Sequence, residues 1–139
     1  MSTHLATLIE RSELWQQAVG FCDAFVLAFH TFDGNLIAQR YIAPYLALNA
    51  DGSVQSFDEH SAIGRYFQGI VSAYHAQGCR GCCYKDLEVV PLGSQSALVT
   101  VTWELLREDG SVLSSWRESY TLTRKNNDLR IVASVDHVQ

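Results

Sequence analysis

The stretch ALVTVTWELLREDGSVLSSWRESYTLTRKNNDLRIVASVDH, residues 97–137, decides the fold. It is rich in Val, Thr, Trp, Tyr and Ile and is cut twice by turn residues, Asp109-Gly110 and Asn126-Asn127. β-Branched and aromatic side chains suit a pleated, half-buried surface, so the stretch predicts three antiparallel strands over residues 97–107, 112–124 and 129–137. A two-residue turn at Asp109-Gly110 places Glu108 opposite Ser111, and the pairing continues as Trp103 with Trp116, Val101 with Glu118, and Val99 with Tyr120. One face then collects Ala97, Val99, Val101, Trp103, Leu105, Trp116, Tyr120 and Leu122. The opposite face collects Thr100, Thr102, Glu104, Ser115, Arg117, Ser119 and Thr121. A slip of one residue would scatter both sets.

The same rule at Asn126-Asn127 sets Leu122 beside Ile131, Tyr120 beside Ala133 and Glu118 beside Val135. It also places Arg117 beside Asp136, an ion pair on the polar face, and His137 beside Trp116. Two titratable residues are thereby left among hydrophobes, Glu118 in mid-strand and His137 at the strand end. A carboxylate in such surroundings loses hydration, and its pKa rises unless a cation or several donors offset the loss. Such a group is a candidate general acid or base. It could equally be a ligand contact, or a structural acceptor for a Tyr hydroxyl, a Trp indole, Arg40 or Arg65. The candidate catalytic set is therefore Glu118, Tyr120 and His137, with a structural or exposed role as the alternative for His137. Trp103, Trp116, Tyr41, Tyr45, Tyr66 and Val101 are the candidate ligand contacts. Tyr74, His60 and His75 could border the same space, although a helix-stripe tyrosine serves equally as core and both histidines fall where exposure is expected.

Upstream, residues 82–90 read as a fourth long strand. Earlier still the apolar period changes from two to between three and four. Leu5, Leu8, Ile9, Trp15, Ala18, Phe21, Cys22, Phe25, Phe29 and Phe32 describe an amphipathic helix over residues 5–32, with Gly20 as a point of bending. Asp33-Gly34 stops it, and residues 36–41 form a short second helical turn ahead of Pro44. Asp51-Gly52 joins residues 45–49 and 53–57 in a hairpin. Ser56-Phe57-Asp58-Glu59 has the form of a capping box. The helix it would open carries Ile63, Tyr66, Phe67, Ile70, Val71 and Tyr74 on one stripe and ends at Gly78. Gly64 and Gly69 weaken it, so packing must hold it. Helices first and a strand meander afterwards indicate an α+β domain in which an antiparallel sheet folds over the helices.

With 139 residues, 47% hydrophobic and 18% charged, the sequence is expected to form one domain over residues 1–139 with a single core. Ten Lys and Arg against fifteen Asp and Glu give a net charge of -5, and there is no basic run, which argues against a nucleic-acid partner. Glu10, Arg11 and Glu13 interrupt any signal-like apolar stretch, and the segment from Phe21 to Phe29 is far short of a membrane span. A soluble, cytoplasmic protein with no membrane partner is expected. The segment Cys79-Arg80-Gly81-Cys82-Cys83 contains a C-x-x-C, but no second ligand pair follows at finger-like spacing. Zinc, a redox dithiol and buried structural thiols stay open for it, the last being the simplest, and no cofactor or metal is expected.

The order of a long helix, a short helix before Tyr41, a third helix after Asp58 and long strands ending in Arg130-Ile131-Val132-Ala133-Ser134-Val135-Asp136-His137 resembles the nuclear transport factor 2-like superfamily. Its SnoaL-like and ketosteroid-isomerase-like branches are the most similar, with the last hairpin carried by residues 116–124 and 129–137. The resemblance covers nearly the whole sequence. It implies a cone-shaped, cystatin-like fold with the helices in the concave face of a curved sheet, an apolar cavity at the wide end, and dimerisation through the sheet's outer face. The isomerase branch would place a catalytic Asp on the strand before the third helix, where this sequence reads Val54-Gln55-Ser56-Phe57 without a carboxylate. Function has therefore to be argued from the site.

Two readings follow. In one, a small apolar molecule binds a pocket formed by Trp103, Trp116, Tyr120 and helix aromatics, with Glu118 as a polar anchor that can shuttle a proton while Tyr120 or His137 donates to an oxyanion. In the other, aromatic side chains fill the cavity and the product is a homodimer, joined over an outer face that carries Leu98, Leu106, Leu113 and Val132.

Overall fold

The computed structural model describes residues 3–137, with side chains described for residues 11–137. Helix α1 (Thr3–Phe29) runs without a break through Gly20 and buries Leu14, Ala18, Phe21, Cys22, Phe25 and Phe29. The side chains of Leu5, Leu8 and Ile9, assigned to the same stripe, lie outside the described residues. Phe32 turns the chain with a positive φ of 51°, and α2 (Gly34–Ala38) follows, its N-terminus capped by the Asp33 carboxylate, which accepts from the Asn35 amide at 2.9 Å. The second helical turn is shorter than expected. Tyr41 is not helical but opens β1 (Tyr41–Leu48), because its backbone joins the ladder to the last strand opposite Ile131.

The hairpin at Asp51-Gly52 forms as expected, with β2 (Val54–Phe57) antiparallel to β1. The capping box does not form. Ser56 lies in β2 opposite Leu46, so the chain leaves the sheet only after Phe57, and α3 (His60–Ala76) begins at a Glu59 cap that makes no side-chain bond. Instead, the His60 Nε2 sits 2.8 Å from the Ala38 carbonyl and ties the first turn of α3 to α2. A Cβ on Gly34 would collide with the α3 backbone at Gly64 and Gln68, so glycine permits the close approach of these two helices.

Four long strands complete the chain: β3 (Gly81–Leu92), β4 (Ser96–Leu106), β5 (Val112–Lys125) and β6 (Asp128–Asp136). The six-stranded sheet has the order β2-β1-β6-β5-β4-β3, parallel only between β1 and β6. The α+β architecture is thus the expected one, a curved sheet with helices against its inner face. Alternation along β4 is strict, and Val99, Val101 and Leu105 are buried beside Leu122 and Ile131 against the α1 phenylalanines. Burial of each such side chain contributes about 1.5–3 kcal/mol. Tyr84 of β3 donates to Asp23 of α1 at 2.7 Å, and the Cys82 amide donates to the His30 Nε2 at 3.1 Å, pinning helix to sheet at the other flank.

The β4–β5 pairing is the expected one, Trp103 with Trp116, Val101 with Glu118 and Val99 with Tyr120. The turn that produces it differs. Arg107 donates to Ser111 across a three-residue loop, and a one-residue irregularity between Leu105 and Leu106 restores the register. The β5–β6 pairing starts as expected with Leu122 opposite Ile131 and then shifts. Thr121 faces Ala133, so Val132 is an extra residue and everything beyond it moves by one. Glu118 is therefore opposite Asp136 rather than Val135, and Tyr120 is opposite Ser134 rather than Ala133. The expected Arg117 to Asp136 ion pair is absent for the same reason. Arg117 stays on the outer face, 3.1 Å from Glu88 and 3.0 Å from Thr102 Oγ1, while Asp136 faces inward.

Candidate functional site

The inner face of the sheet and helices α1 and α3 line an open-mouthed cavity of about 440 Å³. Its position follows from periodicity: β1 sends Tyr41 and Tyr45 inward, α3 sends Tyr66 and Tyr74 from one stripe, and β4 and β5 contribute Trp103 and Trp116. The rings pack against one another, Tyr41 with Tyr45 at 4.7 Å between centroids and Tyr74 with Trp116 at 6.3 Å.

Glu118 stands on the wall of this cavity. The Trp116 indole donates to its Oε1 at 2.9 Å. The Trp103 indole donates at 2.7 Å to the Tyr120 hydroxyl, which in turn hydrogen-bonds Glu118. Asp136, brought opposite by the Val132 bulge, shares a hydrogen bond with the same carboxyl. Burial pushes the Glu118 carboxyl up to about 8, and repulsion from Asp136 adds to the rise, together outweighing the bonds from Trp116 and Tyr120. Two adjacent carboxyls against an apolar wall disfavour double ionisation, which favours keeping the Glu118 proton. Burial also raises the phenols of Tyr41, Tyr45, Tyr66, Tyr74 and Tyr120, Tyr74 to about 12, and the charge on Glu118 adds to the rise at each. Ser134, inward for the same reason as Asp136, meets the Tyr45 hydroxyl at 2.5 Å.

Of the residues singled out from sequence, Glu118, Tyr120, Trp103, Trp116, Tyr41, Tyr45 and Tyr66 all border the cavity, as does Tyr74. Val101 does not: it is fully buried beneath Glu118 in the sheet core. His137 borders the space, but its Nε2 is 2.7 Å from the Ser119 hydroxyl on the outer face, because the bulge turns it away from Trp116 and its amide bonds Arg117 instead. Neither Arg40 nor Arg65 is among the lining residues, so the alternative of a Glu118 ion pair with either is not realised. His60 and His75 are exposed.

Sequence reasoning missed Asp136 and Ser134, and no local signal marks them: read without a bulge, Leu129, Ile131, Ala133 and Val135 form a flawless apolar face. Cys82 also borders the cavity, its thiol pushed up to about 12 by burial and so inert as a nucleophile. Cys79 and Cys22 are buried as well and Cys83 half-buried; the Cys79 thiol donates to the Gly81 carbonyl within its own turn.

The sequence model of an NTF2-like protein family, DUF6841, matches residues 16–139. This chain belongs to that family. The NTF2-like assignment agrees with the curved six-stranded sheet and the helices on its inner face. Among solved structures, the chain is similar to an NTF2-like protein with a cystatin-like fold from Novosphingobium aromaticivorans, at TM-score 0.75 and 15% identity over 99% of this chain and 90% of that one. Aln2 from a Streptomyces species aligns at TM-score 0.72 and 18% identity over 91% of each chain. A candidate scytalone dehydratase from Novosphingobium aromaticivorans aligns at TM-score 0.71 and 7% identity, over 95% of this chain and 88% of that one. At these identities the likeness is one of fold. No curated protein matches the sequence. Among the described residues no helix is long and apolar enough to cross a membrane.

Proposed function

We propose that this NTF2-like protein binds a small, largely apolar molecule in the cavity and transfers a proton to or from it through the Glu118 and Asp136 pair. A single observation carries the reading: a cavity of about 440 Å³, within the range of small-molecule sites, has one half-buried acid pair on an aromatic wall. A shared proton held near physiological pH suits general acid or base work, as in isomerase, dehydratase or cyclase chemistry. Tyr120 is committed to Trp103 and Glu118, and His137 to Ser119, so both serve as positioning groups and not as oxyanion donors. The hydroxyls of Tyr41, Tyr66 and Tyr74 have no hydrogen-bond partner among the described residues and are the groups available to a ligand oxygen. Carboxyl carbon NMR titration tests the proton-transfer part: Glu118 titrating near 8 supports it, and titration in the ordinary carboxyl range overturns it. Shifts of the Trp103 and Trp116 indole resonances on adding cyclic apolar fragments test the binding part.

A second reading concerns the sheet's outer face and is compatible with the first. Val90, Leu92, Val112 and Val135 are exposed there, Leu98 and Leu106 half-buried, and no described element of the chain covers them. The polar groups between them satisfy each other, Thr100 with Ser119 at 2.7 Å and Ser96 with Thr123 at 3.2 Å, so a second copy could cover this face without stranding a hydroxyl. Light scattering that gives twice the chain mass, reduced to one by Thr100→Arg, supports a homodimer; a monomeric wild type overturns it.

A further inference from the structure

The acid pair carries a charge that the protein itself does not balance. Among the described lining residues there is no Lys or Arg, and the one basic side chain, His137, is bonded to Ser119 on the outer face. The Trp116 indole and the Tyr120 hydroxyl, itself held by the Trp103 indole, direct donors toward the pair but bring no positive charge. A net negative charge held half-buried against an apolar wall without a counter-ion loses part of its hydration, and the cost falls when a cation enters.

The rest of the wall has the same preference. Three Phe, five Tyr and two Trp border the cavity, and aromatic faces carry the negative side of a quadrupole that attracts cations. The unpartnered phenol oxygens of Tyr41, Tyr66 and Tyr74 can accept from an N–H group. A carboxylate or phosphate in this space would meet two acids and ten aromatic rings with no cationic side chain to receive it.

We propose that the ligand of this cavity bears a protonated amine on its apolar body, with the ammonium seated between the Glu118 and Asp136 pair and the aromatic wall. The proposal rests on the small-molecule reading of the same cavity and names the ligand's charge class. An ammonium beside the pair stabilises the doubly ionised state, so binding at neutral pH expels the shared proton.

Isothermal titration calorimetry on the full chain at pH 7 tests this with three probes of one size and different charge, 1-naphthylmethylamine, 1-naphthylmethanol and 1-naphthoate. The amine is expected to bind at least tenfold more tightly than the alcohol, with naphthoate weakest. Its heat should differ between phosphate and Tris buffers because a proton is released, and the alcohol's should not. Removing both carboxylates, Glu118→Gln with Asp136→Asn, should bring the amine's affinity down to the alcohol's, while Glu108→Gln, on the exposed β4–β5 turn, leaves the amine's affinity unchanged and so excludes general attraction to an acidic surface. Glu118→Gln alone, which should weaken the amine and spare the alcohol, replaces the double variant if that does not fold by circular dichroism. Equal or tighter binding of the alcohol or naphthoate overturns the amine proposal and leaves the small-molecule reading standing. Absence of binding by all three overturns both.

Discussion

Glu118 and Asp136 face each other across β5 and β6 and share a hydrogen bond because one residue of β6, Val132, is left without a partner in the ladder. Removal of that single offset would set Val135 opposite Glu118 and send Asp136 to the outer face toward Arg117. The bulge therefore converts a solitary inward-facing acid into a pair, at a place where bulges often re-aim side chains.

The pair makes stability fall as pH rises. The folded chain holds the Glu118 proton up to about 8, whereas the unfolded chain loses it near 4.5, so between these values the native state binds the extra proton. Stability then decreases with increasing pH through this window, and the loss is complete above it. Thermal unfolding followed by circular dichroism at pH 5, 7 and 9 should show the melting temperature of wild type declining across the series more steeply than that of Glu118→Gln.

Asp136→Asn should lower the Glu118 titration midpoint. Repulsion from the neighbouring carboxylate disappears and the amide can donate to the ionised form, leaving burial as the main cause of elevation. Carboxyl carbon NMR reads the midpoint directly, and an unchanged value would show that Asp136 does not act on Glu118.

Tyr45→Phe should cost about 1–3 kcal/mol in urea unfolding. Ser134 is only 4% exposed, and its hydroxyl would lose the Tyr45 partner while staying buried. The double variant Tyr45→Phe with Ser134→Ala should recover part of that loss, since no orphaned hydroxyl remains.

Two glycines should respond with opposite signs. Gly34→Ala forces a methyl into the α3 backbone and should destabilise by about 1–3 kcal/mol, because two helices must separate. Gly69→Ala, on an exposed helical position with open space around it, should stabilise by about 0.5–1 kcal/mol. Chemical denaturation of the two variants side by side checks both signs.

Much of this architecture is legible in residue order. The β4–β5 register follows from two alternating patterns of unequal polarity, which can be superposed in only one way without burying Thr102 or exposing Trp103. Local capping is less legible. Ser56 through Glu59 satisfies the capping pattern, but the same Ser56 amide and carbonyl are worth more in the ladder beside Leu46. Tyr41 departs from the helix for a similar reason, since its strand conformation is imposed by Ile131, ninety residues further along the chain.

The residue order alone determined that an acid points inward among aromatic rings, because side chains in a strand alternate with a period of two and Glu118 shares parity with Trp116 and Tyr120. Only the tertiary structure decided that this acid has a carboxyl neighbour. Both registers of β6 place acceptable residues on the inner face, and the choice between them lies with groups brought from elsewhere: the Tyr45 hydroxyl that meets Ser134 and the Glu118 carboxyl that meets Asp136. A pairing so specified has no trace in the strand that carries it, since its physical cause acts across the sheet and not along the chain.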